Sequence, residues 1–335
     1  MKAMNIVCVG AGSIGMLAAA KLAAAGADVA LVARTERQAA LLNGEGLALR
    51  QGDTETVCRV PAYSFERLAE DRLPERLEGA DWIMLTVKQQ HLSEPLLALL
   101  GAMAAGNGGG RLLCFQNGIG HAERLSRFVH PSRLFLAVTT EGAKKLSGRE
   151  VAHTGAGSTW IGPAFGNDEP GTASPEIDNA QKKAVKTLNE AGFRTFPSNQ
   201  MMEIVWNKLL INAVVNPLTA LLRVRNGELL ATERRIGLMR RLLDEGTAVA
   251  KACGIPVRDD VWEQIVDVCA KTADNASSML QDVSSGRPTE IDWINGAIVE
   301  RARRFGIPVP VHETVCDLVK ASVPESGQTG GPLSP

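Results

Sequence analysis

The run Gly10-Ala11-Gly12-Ser13-Ile14-Gly15 constrains this chain more than any other stretch, because of what flanks it. Ahead of it, Asn5 to Val9 (Asn-Ile-Val-Cys-Val) is short and apolar, the pattern of a buried strand. Behind it, Met16 to Ala25 reads as an alanine-rich helix that stops at Gly26. Strand, glycine turn and helix together turn a weak pattern into a dinucleotide-binding fingerprint. Gly10 permits the tight turn, Gly12 lets the backbone approach a pyrophosphate, and Gly15 lets helix and strand pack closely. Ala11, Ser13 and Ile14 complete the loop, whose free N–H groups lie at the positive end of the helix.

The end of the next strand discriminates between dinucleotides. Ala27 to Ala33 is that strand, and an Asp or Glu at its end would take the ribose hydroxyls of NAD. Arg34 stands there instead, and a guanidinium suits the 2′-phosphate of NADP through bidentate, charge-assisted hydrogen bonds. Arg37 offers a second contact, while Glu36 keeps NAD open. A solvated loop carrying both arginines is the plainer alternative.

Strands and helices alternate through Phe196, which implies a mostly parallel sheet covered on both faces. Ala80–Val87, Gly110–Phe115 and Leu134–Thr140 are further strands, and Val151–Gly162 reads as a hairpin at a sheet edge. Beyond Pro197-Ser198-Asn199 helical periodicity takes over and nothing reads as a strand. The expected architecture is an α/β N-terminal Rossmann domain (1–198) plus an all-α C-terminal domain (199–322), then a disordered tail (323–335). With 36 basic and 37 acidic residues no basic patch argues for nucleic acid. The six cysteines are scattered, without a C-x-x-C pair or a histidine placed for zinc, so no metal site is expected. No apolar stretch reads as long enough for a membrane span, and no signal peptide is read, so a cytoplasmic protein is expected.

The chemistry is suggested by a stripe. Within the very apolar segment Met202–Leu222, Lys208, Asn212 and Asn216 recur every four residues, which stacks them on one helical face. A solvent-facing stripe, or Asn216 capping a kink at Pro217, would explain the pattern without chemistry. The scarcity of charge between Lys208 and Arg223 favours a cleft instead, with a desolvated lysine as proton donor and amides for a polar ligand. Further on, Asn275–Asp282 reads as the end of one helix, and Thr289-Glu290-Ile291-Asp292 as a capping box opening the next. Ile291, Ile294, Ile298 and Phe305 would be its core stripe, with Glu290 in the first turn.

These motifs together with Thr86-Val87-Lys88, Gln116–Gly120, Trp206–Asn212, Asn216–Ala220, Asn226–Leu229, Ser277–Asp282 and Pro288–Asp292 resemble the ketopantoate reductase (2-dehydropantoate 2-reductase) family over about residues 4 to 320. The resemblance implies an active site in the cleft between the two domains. It implies NADPH-dependent reduction of ketopantoate to pantoate, in pantothenate and coenzyme A biosynthesis. Lys208 matches the family's proton donor, and Asn212, Asn216, Asn226 and Ser278 its substrate-binding residues. Glu290 matches the acidic residue at the reacting centre and cofactor; Lys88, Asn117 and Ala143 match positions at the nicotinamide and ribose end; Arg34 matches the 2′-phosphate arginine. Glu141 departs from relatives that carry histidine there. The family also holds reductases of other branched 2-keto acids, and a non-catalytic NADP-binding redox sensor is the alternative of another class. Expected partners are a small-molecule 2-keto acid and, at most, a second copy in a homodimer.

Overall fold

The computed structural model describes residues 4–68, 73–165 and 175–323; the tail expected over 323–335 lies outside them apart from Val323. The chain forms two compact units, Met1–Gln116 with His121–Met201, and Asn117–Gly120 with Met202–Pro335.

The first unit contains two sheets. Their strands are β1 (Asn5–Val9), β2 (Asp28–Ala33), β3 (Leu47–Gln51), β4 (Thr54–Cys58), β5 (Ala62–Ser64), β6 (Trp82–Leu85), β7 (Arg111–Cys114), β8 (Leu134–Thr139), β9 (Gly142–Lys145), β10 (Glu150–Gly155), β11 (Thr159–Pro163) and β12 (Thr195–Pro197). Eight of them order as β12-β11-β8-β7-β6-β1-β2-β5, parallel except where β11 meets β8. β1, β6 and β8 are buried along their whole length, which is why they read as unbroken apolar runs.

The other four strands make a small sheet, β4-β3-β10-β9. Its purpose follows from the helix Ser13–Ala24, which is buried without a break from Gly15 to Leu22. A helix apolar all round has to be covered all round. One side of this one lies on β1 and β2, and β3, β4, β9 and β10 cover the rest. Met16, Leu17 and Leu22 are thereby fully buried, each worth about 1.5–3 kcal/mol against exposure.

The hairpin expected over Val151–Gly162 does not form. β10 pairs with β3 and β9 in the small sheet, whereas β11 pairs with β8 and β12 inside the large one. The link between them passes so close to Thr140 that a Cβ on Gly157 would lie 2.3 Å from its carbonyl carbon.

The second unit is helical, with no strand among its described residues. Its long helix, Met201–Leu222, does have the length and apolarity of a membrane span, contrary to the sequence reading, but two-thirds of that window is buried in the protein. Pro217 sits inside it. A proline has no N–H, so the carbonyl four residues earlier, Ala213, loses its helical donor. Asn295, wholly buried at the start of the helix Asn295–Phe305, supplies one: its Nδ2 donates to Ala213 O at 2.8 Å. The same Nδ2 lies 3.0 Å from His312 Nδ1, and His312 Nε2 lies 2.9 Å from Leu242 O. Burial pushes the His312 pKa down to about 4, so the ring is neutral at pH 7. With one ring nitrogen protonated, Nε2 donates to Leu242 and Nδ1 accepts from Asn295.

Three local expectations need correction. Asn275–Asp282 does not end a helix: the preceding helix stops at Lys271, and Ser277 caps a new one, Ser278–Ser284, by accepting from Leu280 N at 3.0 Å. Thr289-x-x-Asp292 is not a capping box, because Glu290 precedes a single 3₁₀ turn, Ile291–Trp293, and the helix begins only at Asn295. Ile291, Ile294 and Ile298 are buried, but Phe305 at the helix end is 52% exposed.

The Asn295 network carries a test. Asn295→Ala strands the Ala213 carbonyl and Nδ1 of His312, each a buried acceptor left without its donor, at a cost of about 1–3 kcal/mol. The expected outcome is a clearly lowered thermal unfolding midpoint; an unchanged midpoint means that Pro217 is accommodated without Asn295.

Candidate active site

The glycine loop in the first unit has the geometry that a dinucleotide requires. Gly10 has φ +115, and a Cβ there would meet Thr86 Oγ1 at 2.8 Å and Val87 N at 2.9 Å. A Cβ on Gly15 would lie 1.9 Å from Gly10 O, so helix and strand are in backbone contact. At Gly12 a Cβ would meet nothing within 4 Å. Gly12 is also the helix N-cap and has no side-chain cap, which leaves the first-turn N–H groups for a ligand. Thr86, in the strip Thr86-Val87-Lys88, steadies the turn: its hydroxyl donates toward the carbonyls of Val9 (3.0 Å) and Gly10 (2.9 Å). The open Gly12 and the uncapped helix end fit a pyrophosphate.

Cations gather near this loop. Arg34 follows β2 directly, is exposed, and makes no ion pair among the described residues. Lys88 precedes the turn Gln89–His91. The His91 pKa is lowered by burial first, then by Arg34 and by Lys88, which places all three in one electropositive region. Glu36 has its carboxylate on Arg67 at 3.1 Å, at the head of the helix Glu36–Glu45 that Thr35 caps. Ala143 lies on β9, partly exposed. At the end of β9, Lys145 accounts for two contacts: its N–H donates to Ser13 Oγ at 3.1 Å and its Nζ to Ala11 O at 2.8 Å. Glu141, just before β9, is held by His153 at 2.6 Å.

The second unit carries Lys208 and Glu290. Lys208 is partly exposed on the long helix, and burial lowers its pKa from 10.5 to about 8, against the pull of the Glu290 carboxylate, which raises it. Glu290 is 6% exposed and accepts from Asn117 Nδ2 at 3.3 Å. Asn117 reaches it because Asn117–Gly120 packs on the 3₁₀ turn: Ile119 N donates to Trp293 O at 3.2 Å, and a Cβ on Gly118 would lie 2.1 Å from that oxygen. Lys208, Glu290 and Asn117 are therefore brought together within one unit.

The amides fall into two groups. Asn212 and Asn216 lie on the Lys208 stripe, Asn216 being 8% exposed, and no hydrogen bond to either side-chain amide exists among the described residues. Asn226 is different. Its Nδ2 donates to Thr272 Oγ1 at 2.8 Å and its N to Asn275 O at 3.1 Å, which leaves buried Oδ1 without a partner. Ser278 is exposed on the first turn of its helix, and that helix is tethered to the long one by Thr219 Oγ1 donating to Ser277 Oγ at 2.7 Å. The groups of His, Cys, Asp and Glu that could hold a metal are absent among the described residues.

Family models match both parts of the chain. Ketopantoate reductase PanE/ApbA matches residues 6–166, and its C-terminal counterpart matches residues 200–323. The chain belongs to the ketopantoate reductase family. A 2-dehydropantoate 2-reductase of Halobacterium salinarum is 32% identical over 317 residues, 95% of this chain and 98% of that protein. The solved PanE/ApbA family ketopantoate reductase of Ralstonia eutropha has a TM-score of 0.81 at 27% identity, covering 95% of this chain and 98% of that one. A D-mandelate dehydrogenase solved with NADH and anilino(oxo)acetate has the same TM-score, 0.81, at 24% identity over 95% and 98% of the two chains, a likeness of fold.

Sequence reasoning passed over Thr86 as an individual contributor and Lys145 altogether. For Lys145 no local signal existed, since it reaches Ala11 from a strand in another sheet. The position of Arg34 carries the test at this site. Arg34→Ala is expected to weaken NADPH binding by about 1.5–3 kcal/mol, the range for a hydrogen bond to a charged group, and to leave NADH nearly untouched. Equal losses in a fluorescence titration with both nucleotides reject the 2′-phosphate role.

Proposed function

We propose that this ketopantoate reductase family member reduces the C2 ketone of 2-dehydropantoate to the hydroxyl of pantoate, with Lys208 as proton donor. The observation that carries this reading is the state of Lys208: a lysine lowered to about 8, coupled to Glu290, on the same stripe as two unbonded amides. NADPH, when bound, supplies the hydride. Gly10, Ala11, Gly12, Ser13, Ile14 and Gly15 hold its pyrophosphate, and Arg34 its 2′-phosphate; Lys88, Ala143 and Asn117 serve its ribose and nicotinamide end. As negative charge grows on the ketone oxygen, the Lys208 ammonium stabilises it and then delivers a proton to it. A lysine poised near neutrality transfers that proton more readily than one at its ordinary pKa. Glu290 keeps Lys208 charged and oriented, and Asn117 fixes the Glu290 carboxylate. Asn212, Asn216 and Ser278 receive the substrate's carboxylate and terminal hydroxyl, and the unpartnered Oδ1 of Asn226 is an acceptor for that hydroxyl. The six unbridged cysteines suit a reducing cytoplasm.

The lysine sets a pH dependence. Below about pH 8 Lys208 is charged and can donate; above it the donor is lost. The expected kcat/KM for ketone reduction is flat at neutral pH and falls as pH rises through about 8, while oxidation of the hydroxy acid, which needs neutral lysine, rises over the same window. Lys208→Ala is expected to lose turnover by about 10²–10⁴-fold, to abolish this limb and to keep NADPH affinity. Near-normal turnover removes Lys208 from the mechanism.

The second reading, a reductase of another branched 2-keto acid, is kept by the D-mandelate dehydrogenase, which has this fold and another substrate. It is separated by the terminal hydroxyl, which 2-ketoisovalerate lacks. Polar groups left unpaired by the smaller keto acid cost about 1–3 kcal/mol. Ketopantoate is expected to be favoured in kcat/KM by about tenfold or more, with Ser278→Ala and Asn216→Ala each narrowing the gap. A ratio near one points to the second reading, and no turnover of any keto acid to a non-catalytic NADP-binding protein.

A further inference from the structure

We infer that Lys145 is a second cation for the 2′-phosphate of the cofactor, acting beside Arg34 as a determinant of NADPH over NADH. The inference rests on the NADPH reading above. Lys145 ends β9, and its backbone N–H is pinned to Ser13 Oγ at 3.1 Å, so the residue is fixed against the first turn of the glycine-loop helix. Its Nζ reaches over to Ala11 O at 2.8 Å.

That carbonyl does not need the lysine. Gln38 Nε2 already donates to Ala11 O at 3.2 Å, from the helix that follows Arg34. An ammonium has three donors, and this contact occupies one. The charge environment is adverse: burial and then Arg34 both lower the Lys145 pKa, so the two cations feel each other. Neither has an acidic partner among the described residues. Two mutually repelling cations flanking the end of β2 and the glycine loop are relieved by an anion placed between them. In a dinucleotide laid on this loop, the group at the end of the second strand is the adenosine ribose, and the extra anion that distinguishes NADPH from NADH is its 2′-phosphate. A guanidinium fork from Arg34 and a point charge from Lys145 are complementary ways of holding it.

The test uses the full-length protein and the binding constants of NADPH, NADH, adenosine 2′,5′-bisphosphate and adenosine 5′-phosphate, measured by calorimetry. Lys145→Met keeps the backbone bond to Ser13 and the side-chain length. The expected result is an increase in Kd of about tenfold for NADPH and for the bisphosphate, as for a lost charged hydrogen bond. NADH and adenosine 5′-phosphate should change less than about twofold, the thermal midpoint should stay unchanged, and Lys145→Arg should restore most of the loss. Equal weakening of all four ligands overturns the assignment, since Lys145 then supports only the loop or the pyrophosphate. No weakening of any overturns it as well. Wild-type protein that binds NADPH no better than NADH sinks the NADPH reading and this inference together, whereas a preference lost in Arg34→Ala but intact in Lys145→Met sinks the inference alone.

Discussion

The first unit depends on one close approach, the backbone of Gly15 against the carbonyl of Gly10. Any Cβ at Gly15 would lie 1.9 Å from that oxygen, well inside contact distance. With glycine there, the helix Ser13–Ala24 descends onto β1 and β2 with its first turn pointing along the loop. The helix is then deep enough to be covered on its far side as well, so its alanines need a second sheet. That sheet delivers β9, and β9 delivers Lys145 to the loop. Phosphate-binding geometry and tertiary cover thus share one steric cause.

The second unit solves a different problem, a long apolar helix that has to carry polar chemistry. Pro217 breaks its hydrogen-bond ladder at Ala213, and Asn295 mends the break from a neighbouring helix. The repair falls between Asn212 and Asn216, so neither stripe amide is drawn into satisfying the backbone. Lys208, one turn earlier, is held in surroundings that resist its charge while Glu290 favours it. The balance leaves the ammonium near its point of proton release, which supports the proton-donor role proposed for it.

Several of these elements are legible in the sequence. The apolar runs of β1, β6 and β8 could be read because strands buried on both faces need apolar side chains throughout. The Lys208–Asn212–Asn216 stripe could be read because helical spacing is local. β3 and β4 were missed, although Gly52-Asp53 between them has the form of a two-residue hairpin loop. Their residues are mostly exposed and polar beyond Leu49, so no run stood out. β10 and β11 were joined into one hairpin because proximity in sequence says nothing about which sheet a strand enters. Phe305 was placed in the core by its spacing, yet it falls at the last helical position, where the side chain meets solvent.

The sequence by itself determined what is encoded within a few residues. It set the glycine turn, the arginine after β2, the strand–helix alternation, the polar stripe, and motifs long enough to mark the family. These depend on local sterics and periodicity, which need no partner. Tertiary structure alone decided that Glu290 would be buried beside Asn117, that Asn226 would bond Thr272 through Nδ2, and that Asn295 would answer Pro217. It also decided that Lys145 would meet Ala11 across 134 residues of chain. Each of these is a contact between distant segments, chosen because a buried polar group or charge has to find a partner wherever the fold provides one.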